Sequence, residues 1–493
     1  MAIHISALPE DLRHRILRHL PLRDAIRTSV LAQGWRRLWE SRWAHPTSCR
    51  NVRILPGDTP AKTLRSLDLD GGPPRRLDRF SLVVYSSRFR LPYLNCLLKD
   101  AAKRCVGDLH VELHRFGVFL QPFVFNMPLM YYKDAQPFHG LEVIRLHSID
   151  DNGLLGSALS KMLSLCPRLH TLDLRKCSFP TLFGAKPFIV PMLENLRSIT
   201  IAECRGLIFV YTKEAPRDVR EVPRNGYFRY TTGSHDMSQR FHLVKEAALL
   251  AHFPGLRSFR YGGDYAKSPF NLKEAALLTK LYICLRESVT DARQFNRSLP
   301  KDLSALTVLT ICSNTLKITS SLLKGGGNVE HGKLRNLHSL KELQLLMFRM
   351  KIDNLDDIAL FLKSCQCQCA NLERLFVQLP ATSDATSKCL LKETKEVDVE
   401  LPGNSLDNLR IAKVMNFNWS CSEVQLVCFL LRKASSLNKL LLVSSNVTAS
   451  PHVTCVPKAD LLLLNKAFAN DLIIVNKCDD TATQPFYSEV FIK

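Results

Sequence analysis

The sequence predicts an α/β protein: a short helical domain at the N-terminus, then a solenoid of parallel strands, closed by a strand–helix–strand unit. Three observations carry this. Residues 7–43 hold three short helical patterns, dense in large apolar side chains. From Phe80 onward the apolar spacing alternates between strand and amphipathic helix. One frame, Leu-x-x-Leu-x-Leu, then recurs along most of the remaining chain.

The first helix opens at Leu8-Pro9, where proline's fixed φ and missing N–H suit a first turn. Glu10 and Asp11 favour the positive end of the helix dipole. Leu12, Ile16, Leu17 and Leu20 repeat at helical spacing, and Pro21 stops the helix. A second begins at Asp24, a good N-cap, and carries Ala25, Ile26, Ser29 and Val30. A third places Trp35, Leu38 and Trp39 on one face. Three short helices cannot bury so many large side chains among themselves, so the excess points to a partner surface.

These residues resemble an F-box. The matching positions are Leu8-Pro9, Leu12/Ile16/Leu17, Leu20-Pro21, Asp24-Ala25, Ser29-Val30-Leu31 and Trp35…Leu38-Trp39. Ala32-Gln33-Gly34 departs from the family pattern of Ser and a basic pair, and Gly34 weakens a helix by ~1 kcal/mol relative to Ala. The resemblance implies that residues 1–45 form the F-box and that 7–43 dock a Skp-family adaptor through Leu8, Pro9, Leu12, Ile16, Leu17, Leu20, Pro21, Val30, Leu31, Trp35, Leu38 and Trp39. Some of these must form the internal core instead. An ordinary helical hairpin capping the next domain is the alternative.

Residues 46–79, rich in proline and glycine, read as a linker and lead-in. LVVY (82–85) reads as a strand, 91–106 as an amphipathic helix, and Leu109, Val111 and Leu113 as a second strand. The recurring frame starts at 141, 169, 196, 256, 278, 306, 340, 372 and 437. Its intervals are 28, 27, 60, 22, 28, 34, 32 and 65, so a degenerate repeat is expected inside each of the two long gaps. With Cys or Asn at the ninth position, as in LHTLDLRKC (169–177), LRSITIAEC (196–204) and LTVLTICSN (306–314), this is the leucine-rich-repeat signature. The leucines point into a core shared between stacked units, and the small ninth residue suits a tight corner. SALSKMLSLC (157–166), with Leu159, Met162, Leu163 and Cys166 on one stripe, is one of the returning helices.

Residues alternating with the leucines face the concave side of the sheet. They are Val143, Arg145, His147; Thr171, Asp173, Arg175; Ser198, Thr200; Ser258, Arg260; Lys280, Tyr282; Val308, Thr310; Glu342, Gln344; and Arg374, Phe376, Gln378. For a macromolecular target the choice falls on Arg145, His147, Asp173, Arg175, Arg260, Tyr282, Gln344, Arg374 and Phe376. The repeat region is set at 80–378, with an insertion over 211–242 on the rim. Residues 379–405 are polar, Lys- and Glu-rich and expected to be disordered. Residues 406–446 are similar to the FBD domain of plant F-box proteins: a strand at Leu409–Val414, Asn416-Phe417, Glu423, a helix carrying Val424, Val427, Phe429, Leu430, Leu431 and Ala434, and a closing strand at Leu437, Leu440 and Leu442. In the last segment, 447–493, LLLLNKAFANDLIIV (461–475) reads as one more helix and strand.

Of 493 residues, 46% are hydrophobic and 23% charged, as in globular proteins. No apolar run reaches the ~20 residues of a membrane span, and no secretory signal precedes the first helix, so a cytoplasmic or nuclear address is expected. The 16 cysteines are then free thiols. Lys and Arg exceed Asp and Glu by 67 to 46, a net +21, but the basic residues are scattered, which speaks for a solvated basic surface more than for nucleic acid.

No catalytic residue, metal site or cofactor is expected. Gly327…Gly332-Lys333 has phosphate-loop spacing, but Leu334 stands where the Mg²⁺-binding hydroxyl belongs. Cys365, Cys367 and Cys369 lack C-x-x-C pairing, and between His110 and His114 the position directly after the first histidine, where a metalloprotease helix needs its Glu, holds Val111. Asn296, Asn418 and Asn446 match the glycosylation triplet but carry no weight without a secretory route. The F-box resemblance implies a non-catalytic substrate receptor in an SCF-type cullin–RING ubiquitin ligase, reaching the cullin and RING subunits through the adaptor. The other readings are a basic repeat scaffold for nucleic acid or an acidic protein, with a degenerate F-box, and a receptor whose repeats cradle a small molecule.

Overall fold

In the computed structural model the frame's leucines become ladders running from strand to strand. The structure describes residues 13, 16–17, 27–28, 35, 38, 49–55, 77–85, 97, 101, 106–113, 140–149, 163, 166–178, 188–190, 193–204, 208–210, 255–264, 270, 272, 275–286, 292–324, 334, 337–348, 350, 352–366, 371–380, 406–444, 457–477, 479 and 483–489. The chain forms two compact units, one of residues 1–118 and 128–141, the other of 119–127 and 142–493.

In the first unit, β1 (Cys49–Ile54), β2 (Arg79–Val84) and β3 (Asp108–Leu113) pair in parallel, with Cys49 opposite Arg79 and Arg79 opposite Asp108. Val52, Ile54, Phe80, Leu82, Leu109 and Val111 are buried. Leu97 and Ala101, from the expected helix, are helical and buried as well. β1 corrects the reading of 46–79 as linker. Its two inward side chains, Val52 and Ile54, suffice for a strand, whereas the flanking Pro46, Pro56 and Pro60 suggested a loop.

In the second unit the strands are β4 (Val143–His147), β5 (Thr171–Arg175), β7 (Ser198–Ala202), β9 (Ser258–Gly263), β10 (Lys280–Leu285), β11 (Val308–Cys312), β12 (Glu342–Leu346), β13 (Arg374–Gln378), β14 (Ile411–Met415), β15 (Lys439–Val443) and β16 (Ile473–Asn476). They pair in that order, all parallel. Two short strands, β6 (Phe188–Val190) and β8 (Ile208–Val210), form a separate parallel pair. Ile144, Leu172, Ile199, Phe259, Leu281, Leu309, Leu343, Leu375, Ala412, Leu440 and Ile473 make one continuous buried row, as the repeat frame requires. A second row, Leu146 to Leu442, runs alongside it two residues on.

Local turns set the register. Before several strands the frame's first leucine closes a tight turn, its N–H donating to the carbonyl three residues back: Leu169 to Cys166, Leu196 to Leu193, Leu306 to Leu303, Leu340 to Leu337 and Leu409 to Leu406. After several strands one residue takes a left-handed φ: Ser148 (56°), Lys176 (52°), Glu203 (52°) and Asn416 (60°). The ninth residue satisfies the corner as expected. Cys177 bonds the Leu146 carbonyl, Cys204 that of Leu174, and Asn314 those of Leu285 and Arg286. Asn416 plays the same part toward Leu379 at 2.8 Å.

The two long intervals resolve differently. β7 pairs directly with β9, so the 60-residue gap adds no strand to this sheet, against expectation. The 65-residue gap does hold one, because β14 lies between β13 and β15. Among the described residues the longer helices are α1 (Ala292–Ser298), α2 (Ser313–Lys324), α3 (Ile352–Gln366), α4 (Cys421–Lys433) and α5 (Lys458–Ala469), with α2 packed on α3 and α4 on α5. The β14–α4–β15 unit has the expected strand–helix–strand form, and α5 with β16 extends it by one more helix and strand. Buried Glu423 starts α4 by accepting the N–H groups of Asn418 (2.8 Å) and Ser420 (3.2 Å). Glu423→Ala is therefore expected to cost about 1–2 kcal/mol, read as an earlier urea midpoint with an unchanged m-value.

The insertion at 211–242, residues 381–405, the phosphate-loop-like stretch 325–333, Cys367, Cys369, His114, Leu159 and Met162 lie outside the described residues. Cys166, Cys177, Cys284, Cys312 and Cys428 are buried free thiols, and Asn296 is buried within α1. Among the described residues no helix is long and apolar enough to cross a membrane.

Candidate functional site

Of the twelve adaptor positions, Ile16, Leu17, Trp35 and Leu38 are described; Leu8, Pro9, Leu12, Leu20, Pro21, Val30, Leu31 and Trp39 lie outside. Leu17, Trp35 and Leu38 pack into one buried cluster, with Ile16 half-buried against it. The sequence placed all four among the partner contacts. The sequence also expected some of the twelve to form the module's internal core, and the burial of Leu17, Trp35 and Leu38 places these three in such a cluster.

The concave face is built from the alternating residues, which align across strands. The central row runs Arg145, Asp173, Thr200, Arg260, Tyr282, Thr310, Gln344, Phe376, Lys413. A strand face open to water would leave such polar side chains wet. Here Thr310, Gln344 and Lys413 are at most 1% exposed, as are Tyr282 and Phe376. Much of the cover comes from the chain's own C-terminus, since Asp479 and Thr483–Glu489 lie on this face.

The contacts follow the row. At β14, Lys413 Nζ pairs with the Asp479 carboxylate and donates to the Thr483 carbonyl at 3.3 Å. At β12, Glu342 Oε1 accepts the Phe486 N–H at 2.6 Å, and Gln344 Nε2 donates to the Tyr487 carbonyl at 3.0 Å. Thr310 Oγ1 donates to Gln344 Oε1 at 3.1 Å, which fixes the amide's orientation. At β10 and β9 the Tyr487 ring meets Tyr282 edge-on at 5.5 Å. The Arg260 guanidinium lies over both rings, 4.2 Å from the centre of Tyr487 and 4.9 Å from that of Tyr282. The Tyr487 hydroxyl shares a hydrogen bond with Ser258, and Lys280 Nζ sits 3.8 Å over the Phe486 ring. At β5, Arg175 is held bidentately by Asp173 at 2.9 Å and turns its remaining Nη1 to Glu489 at 2.5 Å.

The charges respond to this enclosure. Burial pulls Arg260 and Lys280 below their usual basicity. Burial would lower Arg175 too, but the carboxylates of Asp173 and Glu489 outweigh it, so its pKa is raised. Burial raises the Glu342 carboxyl, against the Phe486 N–H and the Arg374 guanidinium 2.7 Å away. Tyr487 is raised by burial as well.

Of the expected target residues, Asp173, Arg175, Arg260, Tyr282 and Gln344 therefore come together around the C-terminal segment. Arg374 reaches it only through Glu342 and is exposed, while Phe376 is buried between Gln344 and Lys413 in the row. Arg145 and His147 stand at the far end on β4, His147 4.0 Å from Asp173. In the first unit His110 shares a hydrogen bond with Ser81 at 2.8 Å and lies 3.8 Å from Glu112. Lys413 and the C-terminal contacts were missed. Lys413 could have been found, since LRIAKV repeats the frame with lysine at the outward position.

A family model described as F-box domain matches residues 5–45, and one described as At1g61320/AtMIF1, LRR domain matches residues 244–469. A rice protein (Oryza sativa subsp. japonica) named MEIOTIC F-BOX protein MOF is 42% identical over 273 residues, 53% of this chain and 46% of the relative. An Arabidopsis thaliana protein named Putative FBD-associated F-box protein At5g53635 is 27% identical over 198 residues, 39% of this chain and 42% of the relative. A third, the Arabidopsis F-box/FBD/LRR-repeat protein At5g22660, is 21% identical over 429 residues, 83% of this chain and 86% of the relative. The matched part of the chain spans less than half the length of the first two.

Proposed function

Because this chain is an F-box protein that carries leucine-rich repeats, we propose that it is the substrate-recognition subunit of an SCF-type cullin–RING ubiquitin ligase, docking a Skp-family adaptor through residues 5–45 and a target protein through the repeats. The observation that carries the reading is the order of modules: an F-box match ahead of a parallel repeat sheet with a FBD-like unit at its end. The division of labour follows from physics. The subunit itself forms and breaks no bond; holding a target at a fixed place turns a two-body encounter with a ubiquitin-charged enzyme into a local one. On this reading the chain works in the cytoplasm or nucleus and needs no cofactor.

The test is co-purification of the full chain with a Skp-family adaptor, beside a Leu8→Ala/Pro9→Ala/Leu12→Ala variant. The parent is expected to hold the adaptor at both low and high salt, because the contact is apolar, and the variant to lose it by about a hundredfold or more, the loss of two or more buried anchors. Failure of the parent to capture the adaptor at either salt would sink the proposal. Binding to nucleic acid that falls steeply with salt would favour the second reading, which rests on the +21 net charge.

A further inference from the structure

We propose that the concave face is a peptide-reading groove, that Asp479 and residues 483–489 occupy it in cis as a stand-in ligand, and that the target presents the same chemistry in trans: a segment with two adjacent aromatic side chains followed two residues later by a carboxylate. The inference rests on the reading of the repeats as the target-holding region and says what that region selects and what must leave first.

The groove grips the segment as it would grip any peptide, partly through its backbone. Gln344 and Glu342 take one carbonyl and one N–H from consecutive residues at a bend, a pattern that holds the backbone without reading its side chains. Selectivity comes from the two ends. Arg260 and Tyr282 form a slot that accepts a flat ring, with Ser258 at its end for a hydroxyl. Arg175, locked by buried Asp173, turns Nη1 to a carboxylate, here that of Glu489. Spacing between the slot and the arginine sets the two-residue step from Tyr487 to Glu489. Two features mark the occupant as displaceable. Phe486 is half exposed despite lying over Lys280, and the Arg175–Glu489 pair is at the surface, where ion pairs are weak. A tethered segment competes at an effective concentration on the order of millimolar, so it masks the groove from a dilute target until it is released.

The experiment uses the full chain and a fluorescent synthetic peptide copying residues 479–493. The Phe486→Ala/Tyr487→Ala variant, whose own tail is weakened, is expected to bind the peptide on the order of tenfold or more tighter than the parent chain. A scrambled peptide should not bind, and Arg260→Ala in the released background should abolish uptake. Should the double variant fail to fold, Glu489→Arg, which alters only the exposed end, carries the same expectation. In the released background Arg175→Glu should bind a peptide with arginine at the Glu489 position in preference to the native peptide. Equal uptake by parent and released chains, equal uptake of the scrambled peptide, or exchange of tails into a dimer with no peptide uptake would overturn the proposal. None of these readouts involves the adaptor, so failure here and failure of adaptor capture are told apart.

Discussion

Asp479→Ala is expected to release the C-terminal segment and lower the stability of the second unit by about 3 kcal/mol, the lower end of the cost of breaking a buried ion pair. Lys413 lies on a central strand with no exposed surface and pairs there with the Asp479 carboxylate. The lower end applies because Asp479 is itself 37% exposed, so water already solvates part of the pair. Once the carboxylate is gone the ammonium either stays buried without that partner or draws water in by lifting the segment. The second route loosens Thr483 and everything after it. Lys413→Met behaves oppositely: it removes the charge that needs a partner, fills the same volume and is expected to change stability by under about 1 kcal/mol. The double variant should therefore resemble Lys413→Met alone. Chemical denaturation of the four proteins closes the cycle, and hydrogen exchange at residues 483–489 reports the release. A fully additive cycle would mean that the pair carries no coupling.

The repeat core was legible because its signal is local and repeated. Each unit needs leucine at the same three places, so Leu169, Leu172 and Leu174 predict β5 as Leu306, Leu309 and Ile311 predict β11. Interval arithmetic was a poorer guide. Sixty residues looked like two periods, yet pairing depends on which strand follows in space, and β9 follows β7 without an intermediate. β1 was lost for the opposite reason, being a short strand with two inward side chains between prolines.

The face was half legible. Alternation identified Asp173, Arg260, Tyr282 and Gln344, with Arg175 two residues beyond Asp173 on β5, as one face, and the strand register aligns the first four in one row. What alternation cannot reveal is which chemistry covers them. PFYSE (485–489) has neither helical nor strand periodicity, and it meets its partners across 143 to 314 residues of sequence. Such contacts leave no trace in local pattern. The one hint was compositional: Glu342 and Lys413 are charges placed in the middle of a sheet, and buried charges require partners from somewhere.

Trp35→Ala should remove adaptor capture by a different route from the Leu8→Ala/Pro9→Ala/Leu12→Ala variant. Trp35 is 1% exposed and packs on Leu17 and Leu38, so its truncation costs about 3–5 kcal/mol in lost burial and residual cavity. A helical module of some forty residues is held by only about 2–6 kcal/mol at ordinary stability per residue. The two quantities are of one size, so the module is expected to unfold rather than adjust. Hydrogen exchange across residues 7–43 should then rise to the rate of an open chain while the repeat sheet keeps its protection. Trp35→Phe, which fills most of the volume, is expected to keep the module folded and the adaptor bound. Loss of capture with protection intact in Trp35→Ala would instead make Trp35 a contact residue, contradicting its place in the core. Capture retained despite full exchange would mean that the adaptor folds the module on binding, and the apolar residues that lie outside the described set would then supply the docking energy.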